Sequence, residues 1–242
     1  MAPLARNVLV TGCNRGIGLE LVRQLVESPD PPEHIFATYR DLEGPRGKAL
    51  QELAAKYPPV RPIQLDAVSL ASVRAAVKEV ESQLNGKGLN LLINNAAVNS
   101  HATLQSVQPE EMISVFTTNV VGPIQVAKFL PLLKRAAEEA GKEGLSCSKA
   151  AIINMSTNVG SIELCFKVLE IPMYPYRASK EAAQRGGGGG RGGDKLRRSG
   201  PSGRHVPPSS AAGAGPRYRL PPGGWALTTG ERREEAEERP VL

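Results

Sequence analysis

Residues 7–18 read NVLVTGCNRGIG, a short apolar strand running into a turn spaced T-G-x-x-x-G-x-G and then into a helix. A strand that hands over directly to a helix must return to its sheet by a crossover, which favours parallel strands. Glycine at 12, 16 and 18 lets the backbone turn tightly and approach a phosphate closely, and the helix opening near Ile17 offers its positive N-terminus to that charge. A nucleotide site is the first expectation.

The following 140 or so residues continue the alternation. Leu19, Leu21, Val22 and Leu25 keep helical spacing until SPDPP breaks them, and HIFATYR (34–40) reads as a second strand. A helix over 47–56 precedes a third strand, PVRPIQLDA (59–67). Next come a helix over 70–84 with Val73, Val77 and Val80 on one face, a buried strand GLNLLINNAA (88–97), one extended helix over 110–137 and a fifth strand KAAIINMST (149–157). Strands that are nearly all apolar require cover on both faces, so the fold class is α/β, a doubly wound, Rossmann-like parallel sheet. Ligands of such sheets lie beyond the C-terminal strand ends, where TGCNRG, YRD, LDA, NNAA and MST fall.

Composition divides the chain at about residue 184. Residues 185–242 hold 14 Gly, 10 Arg, 7 Pro and 5 Ala with no apolar period, which reads as a disordered tail following a 1–184 dinucleotide-binding domain. The tail carries 11 of the 30 Lys and Arg but 6 of the 24 Asp and Glu, so the overall charge of +6 says little about the folded part. A basic, flexible segment such as GGGGGRGGDKLRR attracts RNA and other polyanions without specificity, and low complexity alone accounts for it. No specific nucleic-acid partner is expected. With no leader-like segment before the first strand and no run of about 18 apolar residues, the expectation is a soluble, cytoplasmic protein without a membrane partner. Cys13, Cys147 and Cys165 are too few and scattered for a disulfide framework or a metal site.

Individual residues refine the nucleotide reading, each against a plainer one. Arg15 in the turn and Arg40 after the second strand suit the 2′-phosphate of NADP(H), where an NAD site would place an acid; two surface arginines would look the same. Asp66 can accept from an adenine amino group or cap the following helix. Asn94 and Asn95 can brace neighbouring strands or meet the cofactor ribose. Tyr176 and Lys180, four apart, share a helix face, so the ammonium can favour the phenolate and draw the phenol below its usual pKa. A solvated face carries the same pair, and its place after strand five gives it weight.

Taken together these pieces resemble the short-chain dehydrogenases/reductases. TGCNRGIG looks like the family's cofactor turn, NNAA like its NNAG motif, TTNVVGP like its asparagine segment, MST like its serine segment and YRASK like its Tyr-Lys pair, in family order over residues 7–182. The long gap from MST to YRASK, with NMS, GSI and YPYRASK, is most similar to sniffer or C-factor-like carbonyl reductases. The resemblance implies NADPH-dependent reduction of aldehydes, ketones or quinones. Tyr176 would give a proton to the substrate oxygen, Lys180 would bind the ribose and lower the phenol pKa, and Asn119 would hold a water of the proton relay. The polarising hydroxyl falls on Thr157, with Ser156 beside it. Gly12, Asn14, Arg15, Gly16, Ile17, Gly18, Arg40, Asp66, Asn94 and Ala96 would bind the cofactor together with Tyr176 and Lys180; no metal is implied. Threonine for serine at 157 and Ala97 for the last glycine of NNAG depart from the pattern.

The resemblance ends where the family's Tyr-Lys helix should continue to further strands. Five glycines after Arg185, each costing a helix about 1 kcal/mol, predict its end within two or three turns. Pro222-Gly223 is a chance likeness to the missing cofactor loop. Loss of the last strands would uncover part of the core and weaken the family's usual homodimer contact. A truncated, inactive form that only binds NADP(H) or is unstable is therefore the rival expectation. Ile162, Leu164, Phe166, Val168 and Leu169, within Val159–Pro175, suit an apolar carbonyl substrate.

Overall fold

A computed structural model of the protein describes residues 4–42, 45–141, 146–161 and 172–186. The chain divides into Met1–Gly187 and Gly188–Leu242, and all of the described residues belong to the first unit. The expected tail, except Arg185 and Gly186, and the apolar segment 162–171 lie outside the described residues.

Five strands form one parallel sheet: β1 Asn7–Val10, β2 His34–Tyr39, β3 Val60–Gln64, β4 Leu91–Asn94 and β5 Ala151–Asn154. Their order is β3-β2-β1-β4-β5, so the crossovers change direction between β1 and β4. That switch leaves a crevice at the C-terminal ends of β1 and β4, where the glycine turn and NNAA sit. The doubly wound reading holds, with β3, β4 and β5 four to six residues shorter than expected and β2 one shorter.

Strand alternation sends neighbouring residues to opposite cores. Val8, Val10, Ile35, Ala37, Leu91 and Ile93 meet Leu21, Val22 and Val26 of α1 (Gly16–Val26) and Leu50 and Leu53 of α2 (Pro45–Lys56). Leu9, Phe36, Ile63 and Leu92 face the other way, against Val73, Ala76, Val80 and Leu84 of α3 (Leu70–Leu84). Both faces are therefore dry, as an all-parallel sheet requires.

The helix expected over 110–137 is instead a segmented rod. It comprises α4 (Pro109–Phe116), a π-helical turn Thr117–Val121, α5 (Gly122–Val126), a 3-10 turn Ala127–Phe129 and α6 (Leu130–Ala140). Pro123 and Pro131 each lack the N–H that a continuous helix needs, and the ladder changes its period near them. By length and composition alone the rod Pro109–Ala140 is long and apolar enough to cross a membrane, a test that a core helix also passes. Its Val126, Phe129, Leu132 and Leu133 are spent on the second core. After β5 a 3-10 turn, Asn158–Gly160, and α7 (Tyr174–Gly186) complete the described fold.

Candidate active site

The glycine turn is built for close approach. Gly12 has φ 72°, and a Cβ there would lie 3.0 Å from Ala96 Cα; Gly16 has φ 59°. Gly18 is helical, but a Cβ on it would overlap Gly12 O and lie 2.6 Å from Asn95 Nδ2. Arg15, extended at φ −165°, is the N-cap of α1 and makes no side-chain cap, so the first N–H groups of the helix remain directed out of the turn. Arg15, Ile17 and Arg40 are exposed, and Asn14 is half-buried.

NNAA ties the turn to β4. Asn95 Nδ2 donates to Thr11 O at 2.9 Å and Gly12 O at 3.2 Å, while Thr11 Oγ1 accepts from the backbone of Asn95 at 3.0 Å and of Ala96 at 2.9 Å. Asn95 is thus a brace. Asn94 Nδ2 donates to Asn154 Oδ1 at 2.8 Å across the β4–β5 register, but its own buried Oδ1 has no partner. An orphaned acceptor beside a glycine cradle fits a dinucleotide, whose hydroxyls and amides are donors. Asp66 is not the helix cap. Ser69 is, accepting from Ser72 N at 3.3 Å, and Asp66 Oδ1 accepts from Val68 N at 3.1 Å in a local turn. Cys13, wholly buried, donates to Val10 O at 3.0 Å, and burial pushes its thiol far up, so it packs rather than reacts.

At the end of β5, Lys180 is 6% exposed and its Nζ donates to Met155 O at 2.8 Å. The same Nζ lies 5.7 Å from the centroid of the Tyr176 ring. Shared placement on α7 is as the spacing predicted, but the electrostatics differ. Burial pushes the Tyr176 phenol up and the Lys180 ammonium down, and no lowering of the phenol by Lys180 accompanies them. The ammonium sits over the ring and is drawn to a carbonyl, so the cost of desolvation outweighs its help to the phenolate.

The two candidate hydroxyls behave differently. Ser156 Oγ, exposed, accepts from Gln184 Nε2 on the last turn of α7. Thr157, half-buried, caps the 3-10 turn, its Oγ1 accepting from Val159 N and donating to Asn158 Oδ1, both at 3.4 Å. Gly160 closes the contact with α7, since a Cβ there would lie 2.8 Å from Lys180 Cβ. Arg177 Nε adds a bond to Val159 O at 3.1 Å.

Asn119 occupies the π-helical turn and is 2% exposed. Its Oδ1 accepts from Val98 N and its Nδ2 donates to Val98 O and Ser179 Oγ, all at 2.9 Å. Both amide hydrogens are consumed, so the side chain joins protein to protein. Sequence reading missed Ser179, Gln184 and Arg177. Ser179 had a visible signal, a small polar residue three after Tyr176 on the face that also carries Lys180.

The short chain dehydrogenase family matches residues 6–185. The chain belongs to the short-chain dehydrogenases. Among curated members of that family, the short-chain dehydrogenase anuI of Penicillium roqueforti is 30% identical over 184 residues, covering 72% of this chain and 67% of that protein. The chain spans only 39% to 42% of the length of several other curated relatives. Among solved structures, this short-chain dehydrogenase is similar to the NADPH-bound carbonyl reductase from chicken fatty liver, with 45% identity, a TM-score of 0.72 and coverage of 75% and 68% of the two chains. It is similar also to the carbonyl reductase Sniffer of D. melanogaster, with 37% identity, a TM-score of 0.70 and coverage of 75% and 72%.

Proposed function

We propose that this short-chain dehydrogenase reduces carbonyl groups of small molecules, aldehydes, ketones or quinones, with NADPH. The observation that carries the reading is the pairing of Tyr176 and buried Lys180 on α7, packed on the Thr157 turn at the C-terminal edge of the sheet. When bound, NADPH supplies the hydride that a carbonyl carbon accepts. Gly12, Gly16 and Gly18, with Asn14, Arg15 and Ile17, would cradle its phosphates, and Arg15 and Arg40 favour a 2′-phosphate over a bare ribose hydroxyl. Asn94 Oδ1 and Ala96 border the same crevice, and Asp66 would meet the adenine end.

Tyr176 gives its phenolic proton to the carbonyl oxygen as that oxygen gains charge, and Thr157 donates a hydrogen bond to the same oxygen. A phenol held above its usual pKa keeps its proton at neutral pH, as an acid must. Lys180 places a positive charge against the ring that becomes phenolate, and so opposes the cost of the transfer. Asn119, its amide fully engaged, positions α7. Thr157, in the turn that packs on α7, is the hydroxyl assigned to the substrate, its O–H turning from Asn158 Oδ1 to the carbonyl oxygen, while exposed Ser156 accepts from Gln184 beside it.

The test is NADPH oxidation by the purified chain with a panel of quinones, aldehydes and simple ketones. Turnover that Tyr176→Phe lowers by about a hundredfold or more is expected, the range of a lost general acid. No NADPH-dependent reduction across the panel, or full activity in the phenylalanine variant, defeats the reading.

A further inference from the structure

Ser179 takes no part in the proposed chemistry, yet it is 0% exposed and doubly bonded. Its Oγ accepts from Asn119 Nδ2 at 2.9 Å and donates to Tyr176 O at 2.7 Å. Asn119 in turn grips Val98 by both its N–H and its C=O. Val98 follows NNAA, which is bonded to the glycine turn through Thr11. A path of hydrogen bonds, joined by the backbone from Ala96 to Val98, thus runs from the cradle, through the π-helical turn, to the first turn of the helix that carries Tyr176.

We infer that Ser179 is a positioning residue that sets Tyr176 relative to the cofactor cradle by linking Asn119 to the Tyr176 backbone. The inference rests on the reductase reading for its effect on turnover, but not for its effect on structure. Only a hydroxyl can accept from an amide and donate to a carbonyl within one small side chain. Alanine at 179 would leave one Asn119 N–H buried without an acceptor, so the amide would lose the orientation that holds Val98. The π-helical turn makes the link possible. One extra residue in the helical ladder turns Asn119 inward, between Val98 and Ser179, in a rod that otherwise presents Ile113 and Ile124 to solvent.

The test compares the full chain with Ser179→Ala, Asn119→Ala, the double variant and Ser179→Thr. Amide hydrogen exchange at Val98 should rise about tenfold in Ser179→Ala, the equivalent of one buried hydrogen bond, and return toward the parent in Ser179→Thr. The same single change should lower kcat about tenfold while KM for NADPH moves less than about twofold, because the defect lies in alignment rather than in binding. In the Asn119→Ala background, removal of the Ser179 hydroxyl should cost nothing further in either measure. Additive effects, or unchanged exchange at Val98 in Ser179→Ala, overturn the inference even when the parent chain is active. An inactive parent defeats the reductase reading alone, since exchange at Val98 still decides the link.

Discussion

At the scale of single residues, what this chain can hold is decided by atoms that are missing as much as by those present. Gly18 is the clearest case, because it needs no unusual φ and would be an ordinary helical residue but for its neighbours. Ala at 18 would drive a methyl group into Gly12 O and Asn95 Nδ2, the two groups that shape the cradle. Gly18→Ala is therefore expected to cost about 1–3 kcal/mol in stability, the range of an overpacked site, and to raise the Kd for NADPH more than tenfold. Urea unfolding and quenching of protein fluorescence by NADPH measure the two, and a variant matching the parent in both would show that the turn has slack. The hydroxyl pair provides a second test. With Thr157 half-buried at the head of the turn that packs on α7 and Ser156 exposed, Thr157→Val should lose about a hundredfold in kcat, as for a lost donor to the developing oxyanion, and Ser156→Ala far less. The reverse order would make Ser156 the donor.

Among the secondary elements, the sheet strands were legible and the long helix was not. β1, β2, β4 and β5 declared themselves because each is a largely apolar run closed by polar residues, a pattern that burial in the sheet demands, whereas β3, at the edge, carries Arg61 and Gln64 within VRPIQ. The rod over Pro109–Ala140 showed an apolar face throughout, and periodicity alone cannot report the π-helical turn or the 3-10 turn within it. Pro123 and Pro131 were the available signs of interruption. The same limit applies to the site. Tyr176, Lys180 and the glycine turn were found by type and spacing and Asn119 by the family resemblance of its segment, whereas the ties that Asn119 makes to Val98, and Gln184 to Ser156, depend on folding and leave no period in the sequence. The meeting of the Asn158–Gly160 turn with α7 is such a tie, and it is close. Gly160→Ala would set a methyl carbon 2.8 Å from Lys180 Cβ and 3.3 Å from Glu181 N. Either the turn or Lys180 must move, so a loss of about 1 kcal/mol or more in stability is expected, together with a lower kcat. Thermal unfolding and initial rates check both; an unchanged kcat would show that Lys180 tolerates displacement from Met155 O.

Across the whole molecule, the two ends of the sheet use amides for opposite purposes. At the C-terminal end Asn94 keeps an acceptor unpaired, where a ligand can take it. At the N-terminal end each amide is committed. Asn7 N donates to Asn90 Oδ1 at 3.0 Å, Asn7 Nδ2 donates to Gly88 O at 2.8 Å, and Asn90 Nδ2 donates to Ser148 O and Lys149 O. These bonds staple β1 to β4 and β4 to β5 at the end away from the site. Asn7 Oδ1 is left for His34 Nδ1 at 2.9 Å, and since the amide oxygen only accepts, Nδ1 carries the proton. His34 stacks on Phe36 with centroids 5.8 Å apart. Burial, and then the charge of Arg61, hold its pKa below the usual value of 6.5, with Lys87 adding to the effect and Glu33 opposing it. The folded protein thus resists a proton that the unfolded chain accepts. As pH falls through and below the ordinary histidine range, the unfolded state binds that proton first and stability declines; above that range the effect vanishes. His34→Gln keeps a donor for Asn7 but cannot titrate. Its Tm should fall less than that of the parent between pH 7.5 and pH 5.5, a window set about the usual histidine value. Equal slopes for the two proteins would place the acid sensitivity of this fold in its carboxylates rather than in the staple beneath the sheet.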